Sequence, residues 1–198
     1  ERLQISFGSF LVLHKKRTLS FQNERWLLKL QKNRKGESIS MPKIIHTADI
    51  HLDAPFSMLD VQKAQVRKNE LRGAFSSLIL FAKTEKADMV IISGDLFDSG
   101  FVTKETTALL ISQFASFPEC RFIIAPGNHD FISQRSPYKK EMFPPNVYIF
   151  EDEKITHFSF PDIGVDVYGY AFTSEKYTEN PLASVVPLDR GRINILAA

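Results

Sequence analysis

Three short strings in this chain carry side chains that can hold a metal ion or move a proton. They are Asp49-Ile50-His51, Gly94-Asp95-Leu96-Phe97-Asp98 and Gly127-Asn128-His129-Asp130. Each follows an apolar, strand-like run: Ile44-Ile45, Met89-Val90-Ile91-Ile92 and Phe122-Ile123-Ile124. Three strands that each end in hard oxygen or imidazole donors predict one shared site at the carboxyl edge of a sheet, where open α/β sheets bind their ligands. Asp, His and Asn without Cys suit Mn2+, Fe or Zn2+ better than a thiolate-bound structural metal. On an extended strand end, Asp49 and His51 point the same way and can grip one ion together. Asp95 has two oxygens and can bridge two ions. Asn128 offers a neutral amide oxygen, and His129 beside it is the candidate for proton chemistry. Two ions ~3.5–4 Å apart can activate a water and clamp an in-line phosphoryl displacement.

The elements between these strings must bring them together. Ser57–Lys86 reads as a long helix with Leu59, Val66, Leu71, Phe75, Leu78, Ile79 and Ala82 at helical spacing. Asp88–Ser93 is the second strand, Lys104–Phe117 a second helix and Arg121–Ala125 the third strand. Strand–helix–strand–helix–strand is the order of a parallel sheet with right-handed crossovers. Beyond Pro144-Pro145 the texture changes to short strands over Val147–Phe150, Lys154–Ser159 and Val165–Tyr170. These predict a second, more antiparallel sheet packed on the first. Arg192–Ala198 is strand-like again, and the chain stops there, as though cut within a strand.

Composition bounds the rest. The 198 residues are 43% hydrophobic and 24% charged, ordinary for a soluble globular domain. A single cysteine, Cys120, excludes an internal disulfide framework and reads as a small buried residue in a reducing compartment. The net charge of +2 hides an asymmetry: residues 1–40 hold nine Lys/Arg against three Glu, and the remainder sixteen against twenty. Charge therefore gives no argument for nucleic-acid binding in the catalytic part. No run reaches the ~18 apolar residues of a membrane span, and the expected location is cytoplasmic. Residues 1–40 read as a basic N-terminal extension, with a short amphipathic helix around Trp26 and a break at Lys35–Ser40; residues 41–198 read as the domain proper. The other histidines, His14, His46 and His157, read as structural or solvated.

Asp49-x-His51, Gly94-Asp95-x-x-Asp98 and Gly127-Asn128-His129-Asp130 together resemble the opening motifs of the calcineurin-like metallophosphoesterase superfamily. Within it, His46–Asp53 and Gly94–Asp98 resemble DNA-repair exonucleases of SbcD type. Gly127–Tyr138, Tyr168-Gly169-Tyr170 and Tyr177–Asn180 are similar to the YhaO-like bacterial branch. The resemblance implies two divalent metals, with Mn2+ foremost. Asp49, His51 and Asp95 would hold one, and Asp95 and Asn128 the other. His129 would be the catalytic histidine and Asp98 the carboxylate that orients it. It also implies an α/β fold, a metallophosphoesterase-type α/β/β/α sandwich of two facing mixed sheets, here C-terminally truncated.

The implied function is a metal-dependent phosphodiesterase cleaving DNA, an exonuclease with an SbcC-like ATPase partner and a homodimeric state, and no membrane association. The same ligands would also serve a phosphatase or small-nucleotide phosphodiesterase, and an incomplete site would serve a binding module. The family completes its site with three later histidines, and none follows His157 here. The chain by itself is accordingly expected to bind Mn2+ weakly and to be inactive or nearly so.

Overall fold

The computed structural model describes residues 10–12, 41–98, 100–176 and 189–197. The strands β2 (Ile44–Thr47), β3 (Met89–Ser93) and β4 (Arg121–Ala125) lie side by side and parallel. Helix α1 (Val61–Glu85) joins the first two and α2 (Lys104–Ala115) the last two. The four apolar residues that begin β3 are all buried, as expected of a central parallel strand covered on both faces. Asp60 starts α1 by accepting from the Lys63 N–H at 2.9 Å, and Lys86 ends it in the left-handed conformation. The helix therefore begins four residues later than its apolar spacing predicts.

Phe75, Leu78, Ile79 and Ala82 of α1 are buried on the sheet, whereas Val66, and Leu59 just before the helix, are exposed. A 25-residue helix is about 37 Å long and a five-residue strand about 17 Å, so the first turns of α1 outrun the sheet.

The strand β5 (Val147–Ile149) pairs parallel with β4 and so extends this first sheet, contrary to its expected place in the second. Buried Asn146 fixes its approach. Its side-chain amide donates to the carbonyls of Phe114, Phe117 and Cys120 at 3.0–3.1 Å, satisfying the end of α2 and the turn after it. The second sheet contains β6 (Thr156–Phe160), β7 (Val165–Gly169) and β8 (Ile193–Ala197). It is mixed: β6 runs antiparallel to β7 and β8 parallel to it. Tyr148 of β5 meets Phe158 and Phe160 of β6 edge-on, with ring centroids 5.4 and 5.0 Å apart, and Phe150 meets Phe158 at 4.8 Å. These rings join the two sheets into one core.

Three residues of the basic N-terminal stretch, β1 (Phe10–Val12), pair antiparallel with β2 at the sheet edge. The expected helix around Trp26, the Lys35–Ser40 break and the Tyr177–Asn180 string lie outside the described residues. Among the described residues no helix is long and apolar enough to cross a membrane.

Candidate metal centre

Beyond the carboxyl ends of β2 and β3 the backbone leaves extended geometry. Asp49, His51 and Asp95 all adopt positive φ, at 53°, 50° and 51°, and Gly94 does so at 81°. The expected extended strand end at Asp49 and His51 is thus replaced by a left-handed loop. Such conformations cost of order 1–3 kcal/mol each for non-glycine residues and persist only where the surroundings hold them. Here the two loops hold each other. The N–H groups of Asp49, His51 and Leu52 donate to the carbonyls of Gly94, Asp95 and Leu96 at 2.9–3.2 Å, and the Asp98 N–H returns to the Leu52 carbonyl. Fully buried Leu52, Leu96 and Phe97 anchor them to the core.

The result is a compact cluster. Ligand atoms of Asp49, His51 and Asp95 lie within 4.8 Å of one another, and those of His51, Asp98 and His129 do the same. His51 Nε2 is 3.7 Å from Asp95 Oδ2. Asp98 stands between the two imidazoles: Oδ1 lies 2.9 Å from His129 Nδ1 and Oδ2 3.3 Å from His51 Nδ1. The rings themselves meet edge-on, 4.9 Å between centroids. A carboxylate can only accept, so each Nδ1 donates to Asp98, and in a neutral imidazole that tautomer leaves Nε2 as the ligating atom. This is the arrangement in which carboxylates orient metal-ligating histidines. The His129 side chain is half exposed while that of Asp98 is nearly buried. Asn128, partly buried, precedes His129 on the same loop.

Asp130, to which the sequence motifs give no role, is fully buried. Its Oδ1 accepts from the N–H groups of Gly127 and Asp95 at 2.6 and 3.2 Å. Its Oδ2 accepts from the Leu96 N–H at 2.9 Å and the Tyr138 hydroxyl at 2.7 Å. Burial raises the Asp130 carboxyl above the usual range, against the hydrogen bonds from Tyr138 and the backbone that favour its charge. Gly127 also matters by having no side chain. A Cβ there would stand 2.3 Å from Asp95 Oδ1 and 2.8 Å from Asp95 N. Asp95 Oδ1 further accepts from the His129 N–H at 3.0 Å.

Asp53 is a second buried carboxylate without a predicted role. It accepts from Arg72 of α1 at 2.8 Å and from the N–H and hydroxyl of Thr103 at 2.9 and 3.0 Å. It thereby ties the first loop to both helices. Burial alone would raise its pKa, but hydrogen bonds from Thr106 and Thr103 and the Arg72 charge outweigh it and hold the group low. Of the histidines set aside in the sequence, His46 is half-buried in β2 with its pKa lowered by desolvation. His157 is exposed on β6, its ring stacked on Tyr168.

Converging carboxylate and imidazole groups, with each Nδ1 turned to Asp98, fit a divalent cation of the Mn, Fe or Zn type. A cation would also offset the mutual repulsion of the carboxylates that Asp49 and Asp95 bring to the cluster.

Comparison with known proteins agrees. The chain is 29% identical over 148 residues to the metallophosphoesterase YhaO of Bacillus subtilis, covering 70% of this chain and 36% of YhaO. It is 29% identical over 136 residues to the DNA double-strand break repair protein Mre11 of Saccharolobus solfataricus, covering 65% of this chain and 33% of that protein. It is 27% identical over 93 residues to SbcD, a component of the SbcCD nuclease of Escherichia coli K12, covering 46% of this chain and 22% of SbcD. The chain thus spans about a third or less of each relative's length. A family profile described as calcineurin-like phosphoesterase matches residues 42–194, which takes in all three loops of the site, and the chain belongs to that family.

Proposed function

We propose that this chain is the front part of a metal-dependent phosphodiesterase that cleaves DNA, an exonuclease acting in DNA repair. The observation that carries the reading is the contact between the ligand cluster and the Asp98–His129 pair. Donors for a cation and a half-exposed imidazole with a fixed tautomer lie on adjoining loops. Relatives named for double-strand break repair and for the SbcCD nuclease support DNA over a small phosphodiester as substrate.

In this reading Asp49, His51 and Asp95 hold one divalent metal, and Asp95 and Asn128 the second, with Mn2+ foremost. When bound, such ions polarise a phosphoryl oxygen and lower the pKa of an attacking water. The chain's own residues do the rest. Asp98 keeps the His51 ring turned so that Nε2 faces Asp95, and keeps His129 from rotating. His129, with its Nδ1 proton committed to Asp98, presents Nε2 to solvent, where it can stabilise charge on the phosphate or carry a proton to the leaving oxygen. Gly127 and Asp130 keep Asp95 in the left-handed conformation that turns its carboxylate toward His51. An SbcC-like ATPase partner, a homodimer and a cytoplasmic location follow from the same reading.

The test is a nuclease assay on the full product of the gene, with Mn2+, on linear duplex DNA and on bis-p-nitrophenyl phosphate. Mn2+-dependent shortening from DNA ends supports the proposal. Hydrolysis of the small diester with no action on DNA ends points to a small-nucleotide phosphodiesterase, and Mn2+-independent DNA binding without hydrolysis to a binding module.

A further inference from the structure

The Asp130 carboxylate is saturated by four donors, and three of them are backbone N–H groups of the site loops: Gly127, Asp95 and Leu96. The fourth is the Tyr138 hydroxyl, from the short helix α3 (Pro137–Lys140). Asp130 and Tyr138 are both buried, and neither aims a polar atom at the open side of the site. Asp95 meanwhile sits at positive φ, with Gly127 packed against its carboxylate. Aspartate enters that conformation more readily than most residues, yet still at a cost that its surroundings offset.

We infer that Asp130, buttressed by Tyr138, is a positioning residue of the site: it clamps the Asp95 and Leu96 backbone to the Gly127 loop and so fixes the one carboxylate shared between the two ligand sets. Resting on the metal-centre reading, the inference adds a control point outside the ligands. The clamp spans 35 residues of sequence between Asp95 and Asp130, so it sets the spacing of the second and third motif loops. Tyr138 holds the clamp from behind. Its ring packs on Phe97 at 4.8 Å and on Phe143 at 6.0 Å, which fixes the hydroxyl without any contact to a ligand side chain. Removing the hydroxyl leaves Oδ2 with the Leu96 N–H as its one remaining donor and loosens the loop while keeping the ring packed.

The experiment uses Tyr138→Phe in the full gene product, with Asp130→Asn as the stronger variant and Phe114→Leu, in the core, as the stability control. Mn2+ affinity is read by electron paramagnetic resonance of free Mn2+, alongside amide hydrogen exchange at Asp95, Leu96 and Gly127. Tyr138→Phe is expected to weaken Mn2+ binding about 10-fold, the scale of outer partners of metal sites, and to speed exchange at those three amides. Phe114→Leu is expected to lower Tm comparably with Mn2+ affinity unaltered. Unchanged Mn2+ affinity in Tyr138→Phe overturns the inference while leaving the metal centre standing. A parent protein that binds no Mn2+ overturns the metal-centre reading, and this inference with it.

Discussion

Asp98 Oδ1 lies 2.9 Å from His129 Nδ1, and the same carboxylate reaches His51 through its other oxygen. One side chain therefore sets the tautomer of a proposed metal ligand and of the proposed catalytic histidine. Asp98→Asn keeps the shape but has one accepting oxygen, so one imidazole must lose its partner or switch tautomer. We expect kcat of the full gene product on bis-p-nitrophenyl phosphate with Mn2+ to fall about 10- to 100-fold. A variant with unchanged kcat would remove Asp98 from the site.

Gly127→Ala should act on the same centre by a different route. Its Cβ would meet the Asp95 carboxylate and the Asp95 backbone N, and turning the carboxylate aside would not relieve the backbone contact. We expect Asp95 to be displaced and Mn2+ affinity to drop at least as far as in Tyr138→Phe. Gly100→Ala, whose Cβ meets nothing within 4 Å, should leave Mn2+ affinity unchanged. Calorimetric titration of both variants distinguishes a local clash from a general sensitivity of glycines.

Much of this site was legible because its signals are local. Each motif abuts an apolar run that forms a parallel strand: β2, β3 or β4. Asp130 was not legible, because Asp in such a string is also an ordinary turn residue. Its partners Asp95 and Tyr138 are 35 and eight residues away, and no local pattern announces them. The membership of β5 was hidden for a similar reason. Val147–Ile149 has strand-forming residues, but its choice of β4 rests on Asn146 reaching three carbonyls at the end of α2 and beyond. Asp49 and His51 read as extended in sequence because the loop-to-loop hydrogen bonds that hold them left-handed involve backbone alone.

Arg72 offers a test of the fold behind the site. Its guanidinium pairs with fully buried Asp53 at 2.8 Å and donates to Thr106 at 2.8 Å. Arg72→Met removes the charge but fills much of the volume, leaving Asp53 with the neutral donors Thr103 and Thr106. Breaking a buried pair from one side costs about 3–5 kcal/mol, and urea denaturation should show a loss of that size. Arg72→Lys should recover part of it, because an ammonium offers one charge without the fork that spans Asp53 and Thr106.

Gly73 lies within α1, exposed, with open space around an added Cβ. Gly73→Ala should stabilise the chain by about 0.5–1 kcal/mol, through the entropy of the unfolded state and helix propensity. A destabilised variant would mean that something covers this face of the helix.

Cys120 supplies a prediction with a definite pH dependence. The thiol is fully buried at the start of β4, and burial, reinforced by Asp88 and opposed by Arg121, pushes its pKa up to about 12. An unfolded thiol titrates near 8.5. The folded state therefore keeps a proton that the unfolded state releases, and stability tied to this group is fully present below about pH 8.5 and is lost as pH rises toward 12. Denaturant titrations at pH 8 and pH 10 should show a fall in stability that Cys120→Ala makes shallower. At pH 8 the native thiol should resist a disulfide reagent such as Ellman's and react once urea unfolds the chain. Rapid stoichiometric labelling of the native chain would show that β4 opens locally, and with it the loop that carries Asn128 and His129.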